Sequence, residues 1–348
     1  MKHPKTSVFG IALLVVFFSI SLNAQQNKAV LYMQKINKVL NAIMVDTWDY
    51  TSEVAHGKNA RLAEAKRKDL VRTSRFAIDR VSHMEPFEGN TQYRDSVISY
   101  LRINYIVLNE DYEKIMNMEE IAEQSYDKME AYLLAQELAD QKLDSASDRM
   151  EEQERIFAQA NNINLIDTKD KLAKKLEKAG DVMKHYHAAY LVFFKPYKQE
   201  AYLLDGISRK DINAMEQNKN ALAAVSAEGL EKLKTMSSYK SDKSLINAGK
   251  NALEFFQMEA TTKIGNIVDF YMQEEKFEKI KTSLESKPQS ERSSEEIKQY
   301  NDAVRDFNNR LNSYNKQNTA LYNSRNGVLN DWDNSVRSFL DRHVPRYK

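Results

Sequence analysis

An all-α fold, an elongated antiparallel bundle of long coiled-coil-like helices, is what this sequence predicts, and three observations carry the prediction. Glycine and proline are scarce, at 9 and 5 in 348 residues, and neither occurs between Gly89 and Gly180. A fold of many tight turns needs both. Ala, Glu, Lys, Leu, Gln and Met are abundant, and all of them suit helices. Apolar residues recur at alternating steps of three and four, which places them on one stripe of a helix.

The stripes follow one another along the chain. The first is Met33, Ile36, Leu40, Ile43, Thr47, Tyr50 and Val54. Gly57 is positioned to end that helix from the C′ position. "MEPFEGN", Met84 to Asn90, reads as a turn. A second stripe runs Ile98, Leu101, Tyr105, Leu108, Tyr112 and Ile115. "ANNINLIDT", Ala160 to Thr168, is a polar break. A third runs Leu172, Leu176, Ala179, Met183, Tyr186, Tyr190, Phe193 and Tyr197, with Gly206 expected to end its helix. "SSYKSDKS", Ser237 to Ser244, is another turn. "ESKPQSERSSEE", Glu285 to Glu296, is a linker that closes on a capping box, Ser293 with Glu296. The longest stripe then runs Ile297, Tyr300, Val304, Phe307, Leu311, Tyr314, Asn318 and Leu321, and resumes with Val328 and Trp332. Its mean step of about 3.5 is that of bundle and coiled-coil packing. Asn318 and Arg325 interrupt it with polar groups of the kind that fix register.

The pieces align as two duplicated four-helix units, roughly 28–165 and 172–342. Met33-Ile36-Leu40-Ile43 matches Met183-Tyr186-Tyr190-Phe193 at a shift of 150. "MEPFEGN" matches "MSSYKSD" at 152, and "YEKI" (112–115) matches "FEKI" (277–280) at 165. The expected organisation is a signal peptide over 1–24, a first helical unit over 25–165, and a second over 166–348, packed on the first or continuing one bundle.

Compartment comes from the amino terminus, "MKHPKTSVFGIALLVVFFSISLNAQQ". Lys2 and Lys5 form a positive n-region, an apolar run covers Val8 to Ile20, and Ala24 supplies the small residue before the cut. The run falls short of the ~20 residues of a membrane-spanning helix, so the mature chain is not expected to be an integral membrane protein. The sequence contains no cysteine, which excludes disulfides, cysteine metal sites and the lipid-bearing cysteine of a bacterial lipoprotein. Secreted eukaryotic proteins of this size commonly carry disulfides. The expected location is therefore the periplasm or outer surface of a diderm bacterium. Lys and Arg total 51 against 50 Asp and Glu, and removing residues 1–24 takes away two lysines and no acid. The mature balance is −1, with no long block of one sign, which argues against nucleic-acid binding.

The chemically richest stretch is "KHYHAAYLVFFKPYKQEAYLL", Lys184 to Leu204. His185 and His187 stand two apart, so on a helix they point about 200° from each other and do not share an ion. Pro196 removes a backbone donor, and a kink there opens a candidate ligand or partner groove lined by Tyr190, Phe193, Phe194 and Tyr197. The competing reading is a plain core face. Trp48, one step off its stripe, is the candidate for an exposed partner contact, against an equally ordinary place in the core. Glu53 and His56 form one Glu-x-x-His, but a diiron bundle needs two, and at a shift of 150 the second unit reads Leu203-Leu204-Asp205-Gly206. Asp79 and His83 suit a surface pair. GxGxxG, GxxxxGK[ST] and GxSxG are all missing. No residue is assigned to catalysis, a cofactor or a metal. The expectation is a non-enzymatic exported bundle that binds or scaffolds an envelope or extracellular protein partner. The alternatives are a carrier or sensor of a small apolar ligand near Pro196, and a metal-binding or enzymatic protein.

Overall fold

The computed structural model describes residues 14–15, 24–57, 60–165, 168–169 and 171–345. Apart from Leu14, Val15 and Ala24, the expected signal peptide lies outside the described residues. The fold is an all-α helical bundle. Its helices are α1 (Ala24–His56), α2 (Ala60–Ser82), α3 (Gln92–Ile106), α4 (Tyr112–Ala122), α5 (Tyr126–Ala160), α6 (Lys171–Ser208), α7 (Ile212–Thr235), α8 (Ser244–Met258), α9 (Ile264–Glu285) and α10 (Ser294–His343). One two-residue antiparallel pairing, β1 (Leu14–Val15) with β2 (Thr168–Lys169), accompanies them among the described residues. No helix among those residues is long and apolar enough to cross a membrane.

The described residues fall into two compact units, Met1–Ala188 with Arg337–Lys348, and Ala189–Val336. The boundary expected at 165/166 lies between α5 and α6. In the first unit α1 packs on α2, α2 on α3, and both α3 and α4 on α5. In the second, α7 packs on α8 and α9.

Burial follows the predicted stripes closely on α1. Met33, Ile36, Leu40, Ile43, Thr47, Tyr50 and Val54 are all buried, and the Thr47 hydroxyl donates to the Ile43 carbonyl at 2.8 Å, which satisfies that buried group. The stripe on α3 differs. Val97, Tyr100, Leu101 and Asn104 are buried, whereas Ile98 and Tyr105 are half-exposed. A five-residue π-turn, Val107–Asp111, lies between α3 and α4. The Tyr112 N–H bonds to the Val107 carbonyl five residues back. Leu101, Leu108, Tyr112 and Ile115 of the predicted stripe are buried on both sides of that turn.

Helix ends follow local chemistry. Ser125 caps α5 by accepting from the Lys128 N–H, and Asp211 caps α7 by accepting from Ala214 at 3.0 Å. At α10 the capping box forms in full. The Glu296 N–H donates to Ser293 Oγ at 3.2 Å, and the Ser293 N–H donates to Glu296 Oε2 at 2.9 Å. Gly57 follows directly on α1, which ends at His56 as predicted, and a Cβ there would meet the Glu53 carbonyl oxygen at 2.2 Å. Gly206 does not end its helix. It lies within α6, where a Cβ would come within 3.3 Å of Ala214, so its role is the close approach of α6 to α7. On α10, Asn318 is exposed. The seam residue is Gln317, which donates to the Lys263 carbonyl at 2.7 Å.

The segments before and after the two turns are built alike at a spacing of 152. Helix α3 (92–106) and its π-turn (107–111) correspond to α8 (244–258) and a second π-turn (259–263). Glu88 and Gly89 have φ of 49° and 83°; Lys240 and Ser241 have 45° and 70°. A Phe87–Asn90 bridge matches a Tyr239–Asp242 bridge. The Gln92 N–H donates to Asn90 Oδ1 at 2.8 Å, and the Ser244 N–H to Asp242 Oδ1 at the same distance. The "YEKI" and "FEKI" segments do not correspond in this way, since Tyr112 opens α4 and Phe277 stands inside α9.

Candidate functional site

The aromatic stretch of α6 is largely core. Tyr190, Phe193, Phe194 and Pro196 are buried and Tyr197 is half-buried. Phe193 stacks on Trp332 and on Tyr197, and Tyr190 stacks on Phe194. Such offset ring pairs contribute about 0.5–1.5 kcal/mol each beyond the area they bury. Trp48 is buried in the first unit at 2% exposure, with the Lys175 ammonium 5.4 Å from its ring centre.

The histidines have separate neighbours. His185 lies against Phe339 and His187 against Tyr186, with ring centres 5.6 and 5.5 Å apart. His56, at the C-terminus of α1, has Nδ1 3.1 Å from Asp341 Oδ1 and Nε2 3.3 Å from the Pro345 carbonyl. His83 and Asp79 form an exposed pair at 3.5 Å. Among the described residues no three His, Asp or Glu side chains are grouped so that they could hold a metal ion.

A buried ionic triad occupies the second unit. Arg325 donates from Nε to Glu200 Oε1 and from Nη2 to Glu259 Oε1. Glu259 is wholly buried and Glu200 is 2% exposed. Glu259 is the first residue of the second π-turn. Two carboxylates against one guanidinium leave a surplus negative charge in a dry interior, which is costly. Burial, and then the Glu259 carboxylate, push Glu200 up to about 8, against the opposing pull of Arg325. A proton on Glu200 removes the surplus charge. A second buried acid, Glu154 on α5, is raised to about 7 by burial and then by Glu151.

An open apolar groove lies beside the first π-turn. It has a volume of about 820 Å3 and runs between α3–α4 and α5. Ile103, Ile106, Val107, Ile115, Met118 and Leu138 form its apolar lining, and Asp111, Lys114, Lys142 and Arg149 its charged groups. Ile106 is 44% and Leu138 50% exposed. Lys142 pairs with Asp111 at 2.6 Å. The π-turn is steadied from below by Arg67, whose Nη1 donates to the Leu108 carbonyl at 2.5 Å. The apolar row continues past the groove: Leu134 stands four residues before Leu138 and is 52% exposed, and Ile121 stands three after Met118 and is 43% exposed. Those spacings keep each on the face of its neighbour.

Sequence reasoning passed over this groove. The signal was present in Leu134 and Leu138, four apart on a helix whose buried face is set by Met129, Tyr132, Leu133 and Gln136. No family model matches the chain, and neither a curated protein nor a solved structure matches it.

Proposed function

We propose that this chain is an exported, non-enzymatic binding protein of a diderm envelope, and that it engages a protein partner through the groove between α3–α4 and α5. The observation that carries the reading is the row of large aliphatic side chains, Ile106, Ile121, Leu134 and Leu138, left between 43 and 52% exposed. Single exposed apolar residues are ordinary, but an aligned group along one trough marks an interaction site. The signal-peptide layout and the missing cysteines support export. The carrier reading, centred on Pro196, has less support, because most of the rings that would line its cavity are packed on one another.

We also infer that the two four-helix segments descend from one duplicated unit. The matching helix bounds, π-turns, positive-φ pairs and turn hydrogen bonds at one spacing support it.

The test is site-specific photocrosslinking in intact envelopes. A photoreactive residue at Leu138 should give one or two discrete adducts, and the same residue at Leu62, on α2 and similarly exposed at 54%, should give none. Adducts of equal pattern at both positions, or none at Leu138, would refute the reading.

A further inference from the structure

Resting on the reading that this groove is the binding face, the geometry points to the partner's chemistry: an amphipathic α-helix of another protein, with acidic side chains flanking its apolar face. Three observations lead there.

The first is shape. The walls are two helical faces whose exposed aliphatic row extends from Ile106 and Leu138 to Leu134 and Ile121. A compact small molecule is held by enclosure of most of its surface, and these side chains stand about half open. A rod laid along the trough covers the whole row. A helix suits it, because its own backbone groups are already satisfied and it presents anchors at i, i+3, i+4 and i+7. The groove offers no strand edge, so pairing with an extended segment is not available.

The second is charge. Lys114, Lys142 and Arg149 face a single acid, Asp111, among the lining residues. Asp111 is engaged by Lys142, which leaves Lys114 and Arg149 as exposed cations on the rim. Complementary charge at a rim steers encounter and rejects partners of like sign.

The third is a contrast with the second unit. The residue 152 after Met118 is Phe270, and its ring stacks on Tyr314 at 4.4 Å. The residue 152 after Lys114 is Asn266, which bonds to Gln317 at 3.2 Å. At that seam the protein's own side chains fill the space. Where the first unit has Met118 in place of Phe270, the trough stays open, so the opening belongs to this site and not to the framework.

The experiment selects from a displayed library of helical hairpins against the full mature chain. One face carries leucine at four positions, and the flanks are randomised among Glu, Gln and Lys. Enriched clones should carry Glu, lose at least tenfold in affinity against Leu138→Asp, and lose at least tenfold against Lys114→Glu/Arg149→Glu. Both sets of changes fall on exposed positions, and a circular-dichroism melt confirms that each variant is folded. Enrichment of Lys or Gln flanks, clones indifferent to Leu138→Asp, or no enriched clone overturns the proposal. Protection of a probe at Leu138 by dodecanoate, with no helix selected, assigns the groove to a small amphiphile and also overturns it. If the Leu138 adducts persist in envelopes while the selection fails, the binding face stands and only the partner's chemistry falls.

Discussion

The ring of Phe193 lies flat on the indole of Trp332, with centres 4.2 Å apart and planes 7° from parallel. Phe193 is the eighth residue of "HYHAAYLVF", counted from Tyr186, and Trp332 belongs to the stripe that ends the long C-terminal helix. Both are buried, at 0 and 1% exposure. Trp332 also covers Gly249 of α8, where an added Cβ would sit 3.5 Å from the indole. Three helices of the second unit therefore meet on one side chain. Trp332→Ala should cost about 3–5 kcal/mol, the usual range for emptying a large aromatic site. Trp332→Phe should cost less than half as much. Urea unfolding followed by far-ultraviolet circular dichroism measures both.

The triad sets a pH dependence. An acid whose pKa is raised on folding, here Glu200 from 4.5 to about 8, holds a proton in the folded chain that the unfolded chain releases. The associated stability is complete below pH 4.5 and is lost as pH rises through 8. Glu154, raised to about 7, acts in the same direction. Unfolding free energy should therefore fall by a few kcal/mol, in order of magnitude, between pH 5 and 8.5. Glu200→Gln should flatten that slope, since an amide bonds to Arg325 and Glu259 without ionising. A slope unchanged by the substitution would remove Glu200 as its source.

Removing the cation should be worse than removing the whole triad. Arg325→Met leaves two buried carboxyls without their counter-charge and should cost about 3–5 kcal/mol. Combining it with Glu200→Met and Glu259→Met should recover most of that loss, because a buried ion cluster replaced by apolar side chains of similar size is often neutral or stabilising. Thermal melts of the single and triple variants decide it.

The capping box at the start of α10 gives a local prediction. Ser293→Ala removes the acceptor of the Glu296 N–H and should destabilise the first turns of α10 by about 1 kcal/mol. Hydrogen exchange should quicken over residues 294–300 and be unaffected around Trp332.

Much of the fold was legible because burial here obeys simple helical spacing. Every member of the α1 stripe is buried, and the turns at Met84–Asn90 and Ser237–Ser244, together with the Ser293 box, fall where their residues predict. The π-turns were not legible, since they add one residue without any distinctive composition. Ile98 and Tyr105 read as core, and Val97 and Asn104 did not, because a strict alternation of three and four drifts from the 3.6-residue turn of the helix. The aromatic stretch of α6 drew attention through its chemistry, yet chemistry of that kind is what a core needs. The groove went unnoticed because Leu134 and Leu138 lie on the face of α5 that a search for core residues ignores.

The central claim is that Leu138 is kept for a partner and not for the fold. The most direct measurement pairs the melting temperature of Leu138→Asp with photocrosslinking from Ser145, a groove residue about two turns further along α5. A melting temperature within about 2 °C of the parent is expected, as for an exposed site, together with loss of the Ser145 adducts. A large fall in melting temperature, or adducts that survive the substitution, would contradict it.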